Sequence, residues 1–500
     1  MSTAAPSSSK PSAAYLLYNI LLALLFPLVL LYLGWRFLRG KSREGLRERL
    51  GWLPDKLDEF ARSEDPVIWI QAASVGEVNA LAPILRELRL QVPLAHLVLS
   101  VTTPTGHAVA EKRDLGVDAL IYFPFDLPSV VDSVLRRLNP AVFVMVETEL
   151  WPNLLHLAQR RGVKTIVVNA RISDRAFPKT KALWPIYRWM LGGVDLICAQ
   201  SELDAERFRF LGAPAERVLV SGNSKFDETP TKLLPAETAM WRQEFGFGDE
   251  DQVLLAGSTH EGEEDLILTV FDHLRFSHKH LQLVIAPRHP ERGDRVHQLV
   301  REHGYDVYRR SHILAARQAG EELPTPAAGP TVRVAIIDTV GELASLYGCA
   351  DLVVVGGSLI KGLAGHNILE PIAQGKLTLF GPYMADFRDI SAIAVRERCG
   401  LQVHGEAGLQ AECERLLNAP EEMALAAERG HTMLERYAGA SARYAEAIEG
   451  LVGENHHHFE AGPTPAQEAP GPHLTDEAPE PAPPAALPTD DPDLESDDGP

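Results

Sequence analysis

Residues 67–77 read VIWIQAASVGE, an apolar run broken by one glutamine that ends in small and polar residues. A short apolar run without regular polar alternation is typical of a strand that is buried on both faces of a parallel sheet. Ser74 and Glu77 then have the three-residue separation that marks the start of a helix. The stretch therefore predicts a buried strand followed by a helix, which is the repeating unit of an α/β domain.

The same alternation of apolar runs and helical stretches recurs along two parts of the chain. The runs lie at 67–73, 96–103, 119–125, 141–147, 165–170, 196–200 and 218–222, and then at 253–257, 281–286, 332–337, 351–356 and 377–380. This pattern predicts two Rossmann-like α/β domains, at 66–226 and at 250–451 with terminal helices, joined by a polar linker at 227–249. Since open parallel sheets bind ligands beyond the carboxyl ends of their strands, two such domains predict a central cleft that both sheets face.

The N-terminal end of the chain has the composition of a membrane anchor. Residues 13–35 carry no charged side chain and are interrupted only by Asn19 and Pro27, so as a helix they would span roughly 30 Å of hydrocarbon. We predict a single-pass transmembrane helix at 13–38 and a basic membrane-proximal segment at 39–65. The basic residues after the apolar run outnumber the single lysine before it, which predicts cytoplasmic domains and contact with anionic membrane lipids.

Acidic residues are concentrated at the C-terminal end. The 500-residue chain has a formal charge of −20, but residues 452–500 hold twelve acidic and eleven proline residues without Lys or Arg, and the rest carries only −8. Such a segment cannot bury enough apolar surface to offset the entropy of folding, so we predict a disordered tail. We expect no nucleic-acid partner. The four cysteines lack metal-ligand spacing and are expected to be free thiols.

Three predicted strand ends pair a hydroxyl residue with an acid three positions later. These pairs are Ser74 with Glu77, Ser258 with Glu261, and Thr339 with Glu342. One interpretation is a capping box, in which the two side chains satisfy free amides at a helix start. The other is a ligand site, since helix N-termini at a cleft attract phosphate and carboxylate groups. For any one pair taken alone the spacing favours the capping box, and the occurrence of all three pairs at predicted strand ends keeps the ligand site as the alternative.

Further polar residues stand beyond other predicted strands. They are the acids Glu147 and Glu149, the Pro287-Arg288-His289 turn, Gly356 and Gly357, and Asn367 with Glu370. Buried carboxylates at a strand end are costly without partners, which makes a functional role for the acids as credible as a structural one. Asn367 and Glu370 would share a helical face and could bind a ribose diol. A rigid surface turn is an equal alternative for Arg288, and a plain tight turn is favoured for the glycines.

Several longer blocks follow one another along the chain. They are LRERLG (46–51), ASVGE (73–77), ETELWPN (147–153), GNSKFD (222–227), GSTHEGEE (257–264), APRHPER (286–292), DTVGEL (338–343), GGSL (356–359) and GHNILEP (365–371). Together they resemble the Kdo (3-deoxy-D-manno-octulosonic acid) transferases of lipopolysaccharide synthesis, glycosyltransferase family 30, over roughly residues 15–440. The sequence departs from the family pattern at Ile368, where a proline is common, and in the 356–366 loop, which is one residue longer.

The resemblance implies an inverting GT-B glycosyltransferase, with two Rossmann-like domains, at the bacterial inner membrane. It implies CMP-Kdo as donor, a lipid A precursor (lipid IVA) as acceptor, and no metal cofactor. Glu77 is then the general base, supported electrostatically by Glu147 and Lys225. The implied CMP site consists of Pro287, Arg288, Val340, Gly341, Glu342, Asn367, Ile368, Leu369 and Glu370.

Two other functions fit part of the sequence. A GT-B enzyme that uses a UDP-sugar and a lipid acceptor would share the anchor and the two domains, although the APRHPER and GHNILEP blocks argue against it. A nucleotide-binding scaffold without catalysis would keep the fold but would not require Glu77 within its block.

Overall fold

Two seven-stranded parallel sheets form the framework of the protein. The computed structural model describes residues 13–38, 44–60, 62–320 and 333–453. The first sheet contains β1 (Val67–Ala72), β2 (His96–Val101), β3 (Ala119–Tyr122), β4 (Val142–Val146), β5 (Lys164–Ala170), β6 (Leu196–Ala199) and β7 (Val218–Val220). The second contains β8 (Gln252–Thr259), β9 (Leu281–Pro287), β10 (Asp306–Arg309), β11 (Arg333–Ile336), β12 (Leu352–Val355), β13 (Thr378–Phe380) and β14 (Gly400–Gln402). The sequence predicted all of these strands except β10 and β14, which are short and lie at the two edges of their sheet.

Helices connect the strands and cover the sheets. Those up to the end of the first sheet are α1 (Ala13–Leu38), α2 (Leu46–Arg49), α3 (Lys56–Phe60), α4 (Val75–Gln91), α5 (Pro104–Lys112), α6 (Pro128–Leu138), α7 (Pro152–Arg161), α8 (Phe177–Ala182), α9 (Trp184–Leu191) and α10 (Glu202–Phe210). The later ones are α11 (Pro235–Glu244), α12 (Glu263–Ser277), α13 (Gly293–Glu302), α14 (Arg310–Ala319), α15 (Leu343–Leu346), α16 (Leu369–Ala373), α17 (Arg388–Arg396), α18 (Gly405–Leu417), α19 (Pro420–Tyr437) and α20 (Ala440–Val452).

Alternate side chains of β1 enter two different cores, which explains its continuous apolar sequence. Trp69 packs on one face of the sheet, in the same core as Phe143. Ile68 and Ile70 pack on the other face. The buried Trp69 indole is satisfied by a hydrogen bond that its N–H donates to Ser100 Oγ (2.9 Å). Both faces of the sheet are thus covered, as the sequence of the strand predicts.

The order of the strands places a crevice in each sheet. The first sheet runs β3-β2-β1-β4-β5-β6-β7 and the second runs β10-β11-β9-β8-β12-β13-β14. In each, the winding reverses direction at one point, between β1 and β4 and between β8 and β12. Ligands of open α/β sheets bind at such a reversal, beyond the carboxyl ends of the strands. The loops that follow β1, β4, β8 and β12 are therefore the expected positions of a ligand site.

The last helix, α20, packs on the first sheet rather than on the second. Its Tyr444 is fully buried in a core of the first sheet. The Asp227 carboxylate, which follows β7, accepts hydrogen bonds from the amides of Gly439 (2.5 Å) and Ser441 (2.6 Å) at the start of the helix. The predicted domain limits kept 250–451 together and so placed this helix elsewhere. An apolar helical pattern shows that a helix is buried, but not which core receives it.

Helix α1 contacts the first domain through polar side chains. The Tyr18 hydroxyl donates to Asp126 Oδ2 (3.0 Å), and Asn19 Nδ2 donates to Asn153 Oδ1 (2.9 Å). The segment predicted as a transmembrane anchor is thus helical, but in the described part of the chain no helix is both long and apolar enough to cross a membrane. Most of the predicted acidic tail, from residue 454 onward, and residues 39–43 and 61 of the basic segment lie outside the described residues.

Candidate active site

The first candidate site surrounds the Glu77 carboxylate, just beyond the carboxyl end of β1. Glu77 lies in the first turn of α4, whose N-cap is Ser74. Its carboxylate accepts hydrogen bonds from the Ala73 amide (2.7 Å) and the Ser74 hydroxyl (3.1 Å), and Ser74 Oγ accepts one from the Glu77 amide (3.4 Å). A capping arrangement is therefore present. It does not preclude a ligand role, because the Glu77 side chain keeps partial access to solvent.

Two more carboxylates, those of Glu147 and Glu149, belong to the same site. They follow β4, which pairs with β1 at the reversal of the first sheet. Glu147 has a φ of +58°, a left-handed conformation that costs a residue other than glycine on the order of 1 kcal/mol or more. Glu149 accepts hydrogen bonds from Trp151 Nε1 (3.2 Å) and Gln71 Nε2 (3.4 Å). Strained backbone beside clustered acids is typical of a functional site.

The environment of Glu77 favours its neutral form. Burial raises the pKa of Glu77 to about 8, and the negative charges of Glu147 and Glu149 act in the same direction. The hydrogen bonds from the Ala73 amide and the Ser74 hydroxyl partly oppose this shift. A carboxylate with a pKa this close to neutrality is a stronger proton acceptor than an ordinary glutamate, which suits a general base.

We expect the pH dependence of turnover to report this carboxylate. A base must be ionised to accept a proton, so kcat/KM should rise with pH, reach half of its maximum near the pKa of about 8, and level off above it. Glu149→Gln removes a negative neighbour, which should lower the pKa and move the midpoint to lower pH. The measurement is a kcat/KM profile from about pH 6 to 9. A flat profile, or a midpoint that Glu149→Gln leaves in place, would contradict the assignment.

The ammonium group of Lys225 lies beside these acids. It stands after β7, in a short turn capped by Asn223. Burial lowers the pKa of Lys225, whereas the negative charge of Glu147 raises it, so the two groups are close enough to interact. Nζ donates to the carbonyl oxygen of Asp386 (3.3 Å) and lies 4.2 Å from the centre of the Phe387 ring. Lys225 therefore connects the acids of the first domain to the second domain.

Ion pairs next to Lys225 join the two domains at the same place. Arg171 Nη2 lies 3.3 Å from Asp386 Oδ1, and Arg388 Nη1 lies 2.7 Å from Asp174 Oδ1. A recess opens between these pairs; its lining includes Gln200. Because these ion pairs are partly exposed, they contribute little to the stability of the protein. Their main effect is to fix the position of the 385–389 segment.

The second candidate site combines Arg288 with three histidines beyond β8, β9 and β12. The Nε2 atoms of His260 and His366 are 2.8 Å apart, and the His289 ring lies edge-on to His260 with centroids 5.8 Å apart. Burial, together with the positive charges of His260 and Arg288, lowers the pKa of His366 to about 4. His366 is therefore neutral at pH 7, and the exposed Arg288, next to the buried Pro287, supplies positive charge for an anionic ligand.

The predicted ribose-binding pair lies close to Arg288. Asn367 Nδ2 donates to Glu370 Oε1 (3.2 Å). Burial raises the pKa of Glu370, whereas Asn367 and the positive charge of Arg288 lower it. Ile368 and Leu369 are fully buried, main chain included, so neither has a surface that a ligand can reach. Across the described residues, no group of three or more His, Cys, Asp or Glu side chains is arranged to hold a metal ion.

The turn at 340–342 has a structural role that the sequence did not predict. The Glu342 carboxylate accepts a hydrogen bond from Arg310 Nη2 (2.6 Å), and this bond lowers the pKa of Glu342. The Thr339 hydroxyl donates to the same carboxylate (2.5 Å). Glu342 is itself the N-cap residue of α15 and makes no side-chain cap, so the capping-box interpretation is wrong here. Val340 and Gly341 are exposed and are the part of the turn that a ligand can reach.

The Ser258 and Glu261 pair also fails as a capping box. Helix α12 begins at Glu263, after Gly262, and neither Ser258 nor Glu261 caps it. Ser258, at the reversal of the second sheet, has a φ of +55° and is thus strained in the same way as Glu147 at the reversal of the first. Strain is therefore found at both reversals, where the candidate residues lie.

The two parallel-sheet α/β domains, with the candidate residues beyond the carboxyl ends of their strands, place the protein in the GT-B fold class. A solved glycosyltransferase from Rickettsia africae shares the fold, with a TM-score of 0.51 and 12% identity over 78% of this chain and 98% of that one. More particularly, the chain belongs to the 3-deoxy-D-manno-octulosonic acid (Kdo) transferase family. The profile described as "3-Deoxy-D-manno-octulosonic-acid transferase (kdotransferase)" matches residues 44–228.

Two relatives show how far the similarity extends. A 3-deoxy-D-manno-octulosonic acid transferase of Haemophilus influenzae is 31% identical over 446 residues, which cover 88% of this chain and 99% of that protein. A bifunctional glycosyltransferase/methyltransferase of Fusobacterium nucleatum is 33% identical over 370 residues, 73% of this chain. The match covers 54% of the Fusobacterium protein, so this chain corresponds to about half of it.

Two groups of the residues selected from the sequence lie together in the structure, and their functional roles stay predictions. Glu77, Glu147 and Lys225 converge, and so do Arg288, Asn367 and Glu370. The contact of Lys225 with Asp386 and Phe387 was missed, because it joins residues 161 positions apart without any local pattern.

Proposed function

We propose that the protein transfers Kdo from CMP-Kdo to a lipid A precursor, with inversion at the anomeric carbon. The observation that carries the proposal is the proximity of Lys225 to Glu147 and of Glu147 to Glu77, the two acids lying at the reversal of the first sheet. Membership of the Kdo transferase family supports Kdo as the sugar that is transferred. The acceptor, the stereochemistry and the residue roles are proposals that rest on the resemblance to the Kdo transferases.

Glu77 is the proposed general base. An acceptor hydroxyl becomes a good nucleophile only as its proton leaves, and a half-buried carboxylate with a raised pKa can take that proton. The oxygen then attacks the anomeric carbon of Kdo as the bond from that carbon to the CMP phosphate breaks. Direct displacement of this kind inverts the configuration.

Positive groups are needed where charge grows on the departing phosphate. Arg288 is exposed beyond β9 and carries a fixed positive charge, and Lys225 lies on the side of the first domain. Groups fixed in place before the reaction stabilise such charge without a cost of reorganisation. We assign Arg288, the exposed Val340–Gly341 turn and the Asn367–Glu370 pair to CMP, and we include no metal ion in the proposal.

We propose that the enzyme works at the cytoplasmic face of the inner membrane, because its acceptor is a membrane lipid. The exposed apolar side chains Leu17, Ile20 and Leu24 on α1 provide a surface for contact with lipid. The single-pass anchor at 13–38 and the recruitment of anionic lipids by the basic segment stay predictions. Activity measured with the acceptor in vesicles, with and without residues 1–38, tests the role of this segment.

The decisive test of the proposed function supplies alternative donors to the purified protein. CMP-Kdo generated in place, or UDP-GlcNAc, is incubated with a lipid A precursor, and the lipid product is analysed by mass spectrometry. We expect a mass increase of one or more Kdo units with CMP-Kdo and no product with UDP-GlcNAc. A product from UDP-GlcNAc alone would favour the alternative GT-B enzyme and contradict our proposal.

A further inference from the structure

Glu263, the first residue of α12, has a fully buried carboxylate with an unusual set of partners. Its Oε2 accepts hydrogen bonds from the amides of His260 (2.9 Å) and Gly357 (2.7 Å). Its Oε1 accepts them from the amides of Ser358 (3.1 Å) and Leu359 (2.9 Å). Four main-chain N–H groups, together with the positive end of the α12 dipole, therefore stabilise this buried negative charge.

These amides come from the two loops at the reversal of the second sheet. One loop follows β8 and the other follows β12, and these strands pair with each other. Consecutive N–H groups such as those of 357–359 form a concave nest that binds anions, and in many nucleotide-binding folds the anion is a phosphate of the ligand. Here the protein's own carboxylate fills the nest. The donor phosphate must therefore be bound elsewhere, by groups such as Arg288.

The loop that Glu263 holds supports the residues assigned to the donor. The Gly365 amide donates to the Gly357 carbonyl oxygen (2.8 Å). The His366 ring lies against Gly357 so closely that an added Cβ would come within 2.5 Å of it. Asn367 and Glu370 follow directly. A change in the 357–359 backbone would therefore move His366 and the proposed ribose-binding pair.

We propose that Glu263 is a positioning residue of the donor site, which acts by locking the loops after β8 and β12 in register. The proposal rests on the assignment of CMP to the second domain. Glu263 does not touch the donor itself, because its carboxylate is enclosed by the loops. It acts through the position of His366, Asn367 and Glu370.

The informative variant is Glu263→Gln. It preserves size but replaces one oxygen by an NH₂ group, which would face two N–H donors and leave them unsatisfied. Glu264→Gln is the matched control, since Glu264 is the next residue, equally buried, and bonded to Thr259 and Arg292 instead of to the 357–359 loop. Both variants are expected to lower the Tm, so Tm alone does not separate positioning from simple stability.

Two measurements on the full-length protein, below the Tm of every variant, test the proposal. Hydrogen exchange of the amides in 356–366 should be faster in Glu263→Gln and unchanged in Glu264→Gln. Calorimetric titration with CMP should give a Kd raised about tenfold or more for Glu263→Gln only, the factor expected from the loss of one or two buried hydrogen bonds.

The outcomes distinguish a failure of the positioning role of Glu263 from a failure of the proposed function. Unchanged exchange in Glu263→Gln, or a CMP Kd equal to that of the wild type, would overturn the positioning role. An equal rise of the Kd in both variants would show a general effect of stability and would overturn it as well. If the wild-type protein fails to bind CMP, the proposed function is wrong, and the exchange data alone decide whether Glu263 locks the loops.

Discussion

Glu77→Gln should slow sugar transfer severely while CMP continues to bind. Glutamine preserves the size of the side chain and one oxygen for the Ala73 amide, but it cannot accept the proton of the acceptor hydroxyl. We expect kcat to fall by about 10³-fold, within the range for loss of general base catalysis. Steady-state assays with saturating CMP-Kdo and acceptor measure this fall. Calorimetry should give an unchanged Kd for CMP, because the proposed CMP residues lie in the other domain.

The matched control for this prediction is Glu87→Gln. Glu87 lies on the same helix, α4, away from its first turn, and the substitution should leave kcat unchanged. Normal turnover in Glu77→Gln would remove Glu77 as the base. Loss of CMP binding in that variant would show that Glu77 serves the architecture of the cleft instead.

Lys225→Met should produce the second largest effect, a fall of about 10²-fold or more in kcat, the size found when one stabilising donor of a transition state is removed. Methionine retains the apolar stem and its packing on Phe387 but lacks the charge beside Glu147. Negative charge that grows on the CMP phosphate would lose a stabilising partner, whereas the bound ground state would lose less. The kcat and KM of the variant should therefore separate, with the larger change in kcat.

The control for Lys225 is Lys279→Met, because Lys279 also lies over a phenylalanine ring, that of Phe276, but on the exposed surface. This substitution should change neither kcat nor KM. Equal losses in kcat and in CMP affinity for Lys225→Met would indicate that the lysine holds the domains together rather than acting on the reaction.

The sequence predicted best those features that depend on residues close together in the chain. The apolar run at 67–73 predicted β1 because a strand buried on both faces needs a side chain for each of two cores. The position of Glu77 after that run was enough to place it beyond the carboxyl end of β1, in the first turn of the next helix. The role of Glu77 could not be derived in the same way, because a helix cap and a base require the same residue at the same place.

Features that depend on distant parts of the chain could not be predicted. The left-handed backbone of Glu147 and the nest around Glu263 are set by the packing of neighbouring strands, and no spacing rule encodes them. The Thr339 and Glu342 pair resembled a capping box, yet Arg310 engages the acid from a different helix. Local patterns therefore identified where candidate residues lie, and the tertiary structure decided what each of them contacts.

The placement of α20 on the first sheet means that the chain passes between the domains twice, once after Asp227 and again just before α20. The Asp227 carboxylate accepts hydrogen bonds from the Gly439 and Ser441 amides. These bonds hold the segment that leaves the first domain beside the segment that returns to it. The two covalent connections between the domains are therefore held together at one place rather than at two separate places.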